Sequence, residues 1–170
     1  MPRLSALIST AALVVACGHN PAPATGPDVS KDLEVVRNAT RAFQDTAVAH
    51  AAGYPTANQS ACLSDSAQGA MGQHYVNRAL VDDKVELEHP EILLYEPAAD
   101  GKLKLVAVEY IIPYRLVPRE AEAPRIFGRP LRQNDPLKLW NLHVWAWSKN
   151  PAGLFAEWNP SVKCHDHAHS

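Results

Sequence analysis

The chain has 170 residues, with 16 Lys and Arg against 18 Asp and Glu and a formal net charge of −2. So even a balance, with no basic stripe anywhere along it, argues against nucleic acid as a partner. The length allows one domain with a sizeable apolar core.

The first seventeen residues have the make-up of an export signal. Arg3 precedes the uncharged apolar run Leu4 to Ala16, and a small residue, Ala16, stands before Cys17. A basic start, a short apolar stretch and a small residue at the cut describe a secretory signal peptide. The run is shorter than the roughly 20 residues a helix needs to span a bilayer. The sequence Leu13-Val14-Val15-Ala16-Cys17 resembles the lipobox of bacterial lipoproteins. That resemblance implies a lipidated Cys17 as the mature N-terminus, anchored stably in a membrane by more than one acyl chain. It also implies a place at the outer membrane and periplasm or at the cell surface, since Gly18 rather than Asp follows the cysteine. An ordinary signal peptide cut near Ala16, or an uncleaved anchor helix, are the alternatives.

Residues 18–30 are dominated by Pro, Ala and Gly and have no apolar period, which reads as a flexible tether. A helix is expected over 31–52. Ser30 would cap it, Asp32 and Glu34 suit its first turn, and Val35, Val36, Ala39, Phe43, Ala47 and Ala51 recur at helical spacing. Gly53, with Pro55 beyond, should end it. His50, beside the apolar stripe, reads as a histidine at a helix end.

Residues 54–72 read as a loop, followed by a short strand from Gly72 through His74 and Tyr75 to Asn77. Glu91–Glu96 and Lys102–Ile112 flank Asp100-Gly101, the mark of a hairpin. Beyond Lys104 the second strand is apolar on both faces except for Glu109, the pattern of a central strand covered on both sides. Five prolines between 113 and 138 imply extended loop with at most short edge strands near Arg125–Phe127. Leu139–Trp147 reads as the last strand, followed by a turn at Asn150–Gly153 and an aromatic loop to Cys164. These elements predict an α+β domain, a long N-terminal helix packed on an antiparallel sheet with long proline-rich loops. A small closed β-barrel with the helix as plug is the alternative. The chain thus divides into a signal peptide (1–16), a lipidated cysteine and tether (17–30), one globular domain (31–164) and a His-rich tail (165–170).

Three cysteines are present. If lipid takes Cys17, an even pair remains, and an exported Cys62–Cys164 pair can form a disulfide.

The chemistry rests on three residues. A buried Glu109 needs a partner, a metal or a raised pKa. His143 and His74 lie in other expected strands. Two His and one carboxylate form the ligand set of many mononuclear divalent-metal sites with open positions. By strand period, Trp145 and Trp147 would share the face of His143 and, with Tyr75, wall a pocket. The alternative is a neutral polar network, with Glu109 bonded to one His or to Tyr95. Arg115 and Arg132 are further candidate partners for its charge. No fixed-spacing metal motif, nucleophile elbow or phosphate loop is present. The tail His165, His167 and His169 could also hold a soft ion.

The segments Gly72–Asn77, Glu91–Glu96, Val108-Glu109-Tyr110, Leu142–Trp147 and Asn150-Pro151 through Trp158-Asn159-Pro160 to Cys164 resemble a group of uncharacterised exported bacterial proteins. The likeness covers about residues 32–164 and implies one domain, with no activity attached. Three functions remain open. One is an envelope lipoprotein binding a metal ion or small ligand near His74, Glu109 and His143. The second is a metal-dependent extracytoplasmic enzyme using the same residues. The third is a structural or interaction module without chemistry.

Overall fold

The computed structural model describes residues 27–55 and 61–164. The readings of the signal peptide, Cys17, most of the tether and the tail fall outside the described residues. Two short helices come first, α1 (Pro27–Thr40) and α2 (Thr46–Ala51), joined by a 3₁₀ turn over Arg41–Gln44. The single helix expected over 31–52 is therefore corrected: it breaks at residues 41–45. The break has local causes. The Thr40 hydroxyl donates back to the Val36 carbonyl at 2.7 Å. Asp45 then turns extended, and its carboxylate accepts from the Ala47 N–H at 2.9 Å, starting a new helix as an N-cap. The break rotates the stripe, so Val36 and Ala49 are buried while Ala47 and Ala51 face out. Ser30 lies within α1 rather than capping it. The chain does leave α2 at Gly53, whose φ of +98° suits glycine, as the sequence implies.

Eight strands follow: β1 (Leu63–Asp65), β2 (Gly69–Val76), β3 (Ile92–Pro97), β4 (Leu103–Pro113), β5 (Arg125–Ile126), β6 (Arg129–Pro130), β7 (Arg132–Asn134) and β8 (Leu139–Val144). Six form one antiparallel sheet in the order β1-β2-β3-β4-β8-β7. It curls into a half-barrel and its edges, β1 and β7, do not pair with each other, so the closed-barrel alternative is set aside. Strands β5 and β6 form a separate small hairpin. The architecture is thus α+β with an antiparallel sheet.

The β3–β4 hairpin falls where Asp100-Gly101 places it, with Gly101 at φ +81°. Strand β2 begins earlier than expected, at Gly69. The glycines that read as loop are a structural need within the strand: Gly72 has φ +96°, and a Cβ there would meet the Tyr95 carbonyl oxygen at 2.6 Å. Strand β8 stops at Val144, short of Trp147. There the Trp147 and Ser148 N–H groups both donate to the Val106 carbonyl, which ends the regular ladder and flips the side-chain alternation.

Strand β4 is covered on both faces, as its apolar sequence implies. One face meets the helices through Val36, Tyr75, Leu93, Tyr95, Leu105, Val108, Tyr110 and Ile112. The other holds Met71, Ile92, Leu94, Val106, Ile111 and Trp145 under the C-terminal loop, which contributes Val162 and Trp158. Each fully buried aliphatic side chain here contributes about 1.5–3 kcal/mol relative to exposure. The loop has no regular structure of its own. It is held by the Ala70–Asn159 bridge and by a Cys62–Cys164 disulfide that closes a 102-residue separation. The expected pairing is therefore formed.

Candidate metal centre

The site grows from strand register on the loop-covered face. Glu109 of β4 pairs with His143 of β8 on one side and with Ile92 of β3 on the other. His74 of β2 pairs with Leu94, which pairs with Ala107, two residues from Glu109. The period of two puts His74, Ile92, Glu109 and His143 on one face, with His74 reaching Glu109 diagonally across β3. Antiparallel pairing of three strands distant in sequence thus brings the three residues together.

Glu109 Oε2 lies 3.6 Å from His74 Nε2 and 3.7 Å from His143 Nε2. One donor atom from each residue falls within 4.8 Å of the others. The two rings meet edge to face, 5.8 Å between centroids. All three are buried, and His143 is only 4% exposed. Neither separation from the carboxylate is a hydrogen bond. His143 Nε2 is buried with no hydrogen-bond partner. A metal 2.0–2.2 Å from each of two donors, at an angle near 120°, would hold those donors about 3.6 Å apart. The observed spacing therefore suits a shared ion better than a shared proton.

A second layer orients the set. Asn141 Nδ2 donates to Glu109 Oε1 at 2.9 Å, fixing the carboxylate with Oε2 turned to the imidazoles. The Gly72 carbonyl accepts a hydrogen bond from the His74 ring, which presents Nε2 to Glu109. Burial drives the protonation states. It pushes the His143 imidazole down to about 4, with the Arg132 charge adding to the fall and Glu157 opposing it. It also lowers His74, against the upward pull of Glu109 and the Gly72 carbonyl. Both imidazoles are neutral near pH 7 and keep the lone pairs a metal needs. Burial raises Glu109 as well, while His74 and the Asn141 hydrogen bond pull it down.

The three residues lie at the floor of a cleft of about 340 Å³. Its walls are mostly apolar: Leu63, Met71, Ile92, Ile111, Leu137, Leu139 and Trp158. Glu157 and Asn134 stand among them, and Glu157 holds Arg132 at 2.7 Å. The walls expected from sequence are corrected. Tyr75, next to His74, necessarily points to the helix face, where it stacks on His50 at 6.0 Å. Trp147 is carried to that face by the end of β8, and its indole donates to the Thr40 hydroxyl. Trp145 keeps the face of His143 but tucks under the loop, donating to the Ala156 carbonyl. The candidate partners Arg132 and Tyr95 are engaged elsewhere, with Glu157 and with the Phe43 carbonyl. Two features escaped the sequence reading. Asn141 had a legible signal, since it lies two residues before His143 on a buried strand. Glu157 and Trp158 had none, because an irregular loop brings them in.

No family model, no curated protein and no solved structure matches the chain. The functional reading rests on this geometry.

Proposed function

We propose that this is an envelope-anchored lipoprotein whose domain binds a divalent transition-metal ion through His74, Glu109 and His143. The observation that carries the reading is the buried, unpartnered His143 Nε2, turned with His74 Nε2 toward one carboxylate oxygen at beyond-hydrogen-bond distance. A polar nitrogen left unsatisfied in a core costs about 1–3 kcal/mol. A metal at the shared point would satisfy all three groups. Two imidazoles and a carboxylate suit zinc or a first-row ion such as iron(II), with coordination positions left for another ligand. The lipid anchor at Cys17 is the cellular half of the proposal, and a disulfide across the domain is consistent with an oxidising compartment. The cleft above the site favours a second reading, a metal-dependent enzyme in which the ion acts as a Lewis acid on a bound substrate.

The test is metal analysis and calorimetric titration of the full chain with His165, His167 and His169 replaced by alanine. The expected result is one equivalent of divalent ion, lost in His143→Ala. Absence of stoichiometric binding to the tail-silenced protein overturns the metal reading. For the anchor, Cys17→Ser should release the protein from the membrane fraction. Identical fractionation of variant and wild type overturns lipidation.

A further inference from the structure

We propose that the cleft over His74, Glu109 and His143 takes an apolar monocarboxylate, with its head on the metal and its hydrocarbon body along the walls. The proposal rests on the metal reading and assigns a ligand class to the same site. Three observations carry it.

The first is charge. A divalent ion held by two neutral imidazoles and one carboxylate keeps a net charge of +1. In a cleft with apolar walls that charge is poorly screened, and a single anionic head complements it. The second is how the other carboxylate and amide oxygens of the cleft are engaged. Asn134 Oδ1 accepts from the Leu137 N–H, Glu157 accepts from Arg132, and Asn141 donates to Glu109. The metal's open positions at the floor are then the cationic partner for an anionic head, and the Asn134 amide and Trp158 indole in the lining are donors that an anion also accepts from. The third is the exposure of the walls. Leu137 is 68% and Leu63 42% exposed, two of the four large apolar side chains left exposed among the described residues, and both line this cleft. With Trp158 and Leu139 they continue the apolar surface outward from the metal. A ligand with its anion inward and its hydrocarbon along these side chains would cover them. The volume of about 340 Å³ lies within the range of small-molecule sites.

The test uses cobalt(II) as the metal and octanoate as the probe, on the full chain with the three tail histidines silenced. The visible spectrum of the cobalt protein alone reads the metal site. Octanoate should then shift that spectrum saturably, because a carboxylate enters the coordination sphere. Each buried methylene should tighten binding about three- to fourfold, so octanoate should bind roughly a hundredfold or more tighter than acetate. Octylamine, with the same tail and a cationic head, should leave the spectrum unchanged. Leu137→Ser, an exposed change that spares the core, should weaken octanoate several-fold without altering cobalt affinity. If cobalt binds but acetate and octanoate bind equally, the apolar walls take no part and this proposal falls while the metal reading stands. Equal octanoate affinity with and without cobalt overturns the head-group assignment. A tail-silenced protein that takes up no cobalt overturns both.

Discussion

The two faces of the sheet both bury polar groups and arrange them differently. On the helix side, three tyrosines end in satisfied hydroxyls. Tyr95 donates to the Phe43 carbonyl at 2.7 Å, Tyr110 to that of Leu87 at 2.8 Å, and Tyr54 to that of Pro90 at 2.6 Å. Tyr95 and Tyr110 reach these carbonyls from the sheet, and Tyr54 from the chain just beyond α2. On the loop side, two imidazoles and a carboxylate face one another without hydrogen bonds between them, and one nitrogen has none at all. The helix side has one such atom too, His50 Nε2, but His50 belongs to no cluster of metal-ligating side chains among the described residues. Two imidazoles and a carboxylate gathered on one buried face, with His143 Nε2 left unpartnered, are the departure from local consistency that marks functional sites.

The faces also differ in what holds their outer layers. The helix layer has regular structure and aromatic packing. The loop layer has the Asn159 bridge, a few side-chain bonds and the Cys62–Cys164 link. Reduction of the disulfide should therefore give the largest single effect. The chain-entropy model gives about 4.7 kcal/mol for a loop of this length, an upper-end figure. Hydrogen exchange should localise the loss: amides of residues 154–164 and β1 should lose protection before those of α1. Uniform loss across both layers would erase the contrast.

Next in size is metal affinity. His143→Ala should weaken binding by at least a hundredfold, about 2.7 kcal/mol, because a three-ligand site loses a neutral donor it holds ready. Glu109→Gln should do the same while keeping the Asn141 contact in reach. Binding should also tighten with pH, up to tenfold per unit while Glu109 remains protonated in the empty site, since the metal must displace that proton. Calorimetry in buffers of different ionisation enthalpy would count the protons released. A proton count and pH slope unchanged by Glu109→Gln would show that the displaced proton is not this carboxylate's.

How much of this was legible in the sequence follows from which forces are local. The β3–β4 hairpin was readable because Asp100-Gly101 fixes a turn between two apolar runs. Glu109 was readable because a carboxylate in the run Leu105–Ile112 must be met by something. His74 and His143 could be proposed as its neighbours, but their register was not fixed by composition. That depends on the pairing of β2, β3, β4 and β8 and on the bulge in the β3–β4 ladder. The long helix failed at Asp45, where a side-chain cap within the apolar stripe outweighed a periodicity carried beyond that point only by Ala47 and Ala51. Of the expected cleft walls, Tyr75 failed because it adjoins His74 on β2 and so faces the opposite side, and Trp147 because period two ends with β8, beyond which tertiary hydrogen bonds decide direction. Leu137, Trp158 and Glu157 come from irregular chain that no period describes.

A smaller effect separates the faces by pH. Glu91 enters β3 buried, with its carboxylate accepting from the Ile111 N–H. Burial raises its pKa from 4.5 to about 8, with Asp82 and Glu109 adding to the rise against the hydrogen bonds. A raised folded-state pKa means that the unfolded chain gives up this proton first. The stabilisation is complete below about 4.5 and is lost as pH rises toward 8. Between pH 5.5 and 7.5 the loss should be about 2 kcal/mol, and Glu91→Gln should flatten that stretch of the stability curve. An unchanged slope in the variant would place the pH dependence elsewhere.

The smallest effect is the sharpest comparison, because it sets one buried polar atom from each face side by side. Tyr95→Phe removes a hydroxyl and leaves the Phe43 carbonyl without that donor. It should cost about 1 kcal/mol, roughly 2–4 °C in melting temperature for a domain of this size, and leave metal affinity untouched. His143→Leu removes an imidazole that is equally hidden but has an unpartnered nitrogen, and fills the space with an apolar group of similar volume. In the metal-free protein it should be neutral or stabilising, while abolishing metal binding. Thermal melts of both variants in the presence of a chelator measure the two numbers directly. If His143→Leu destabilises the metal-free domain by more than Tyr95→Phe does, His143 is part of the scaffold and the loop-covered face is as structural as the other. If the order is as expected, the imidazole is present at a cost to stability, and a ligand is what it is kept for.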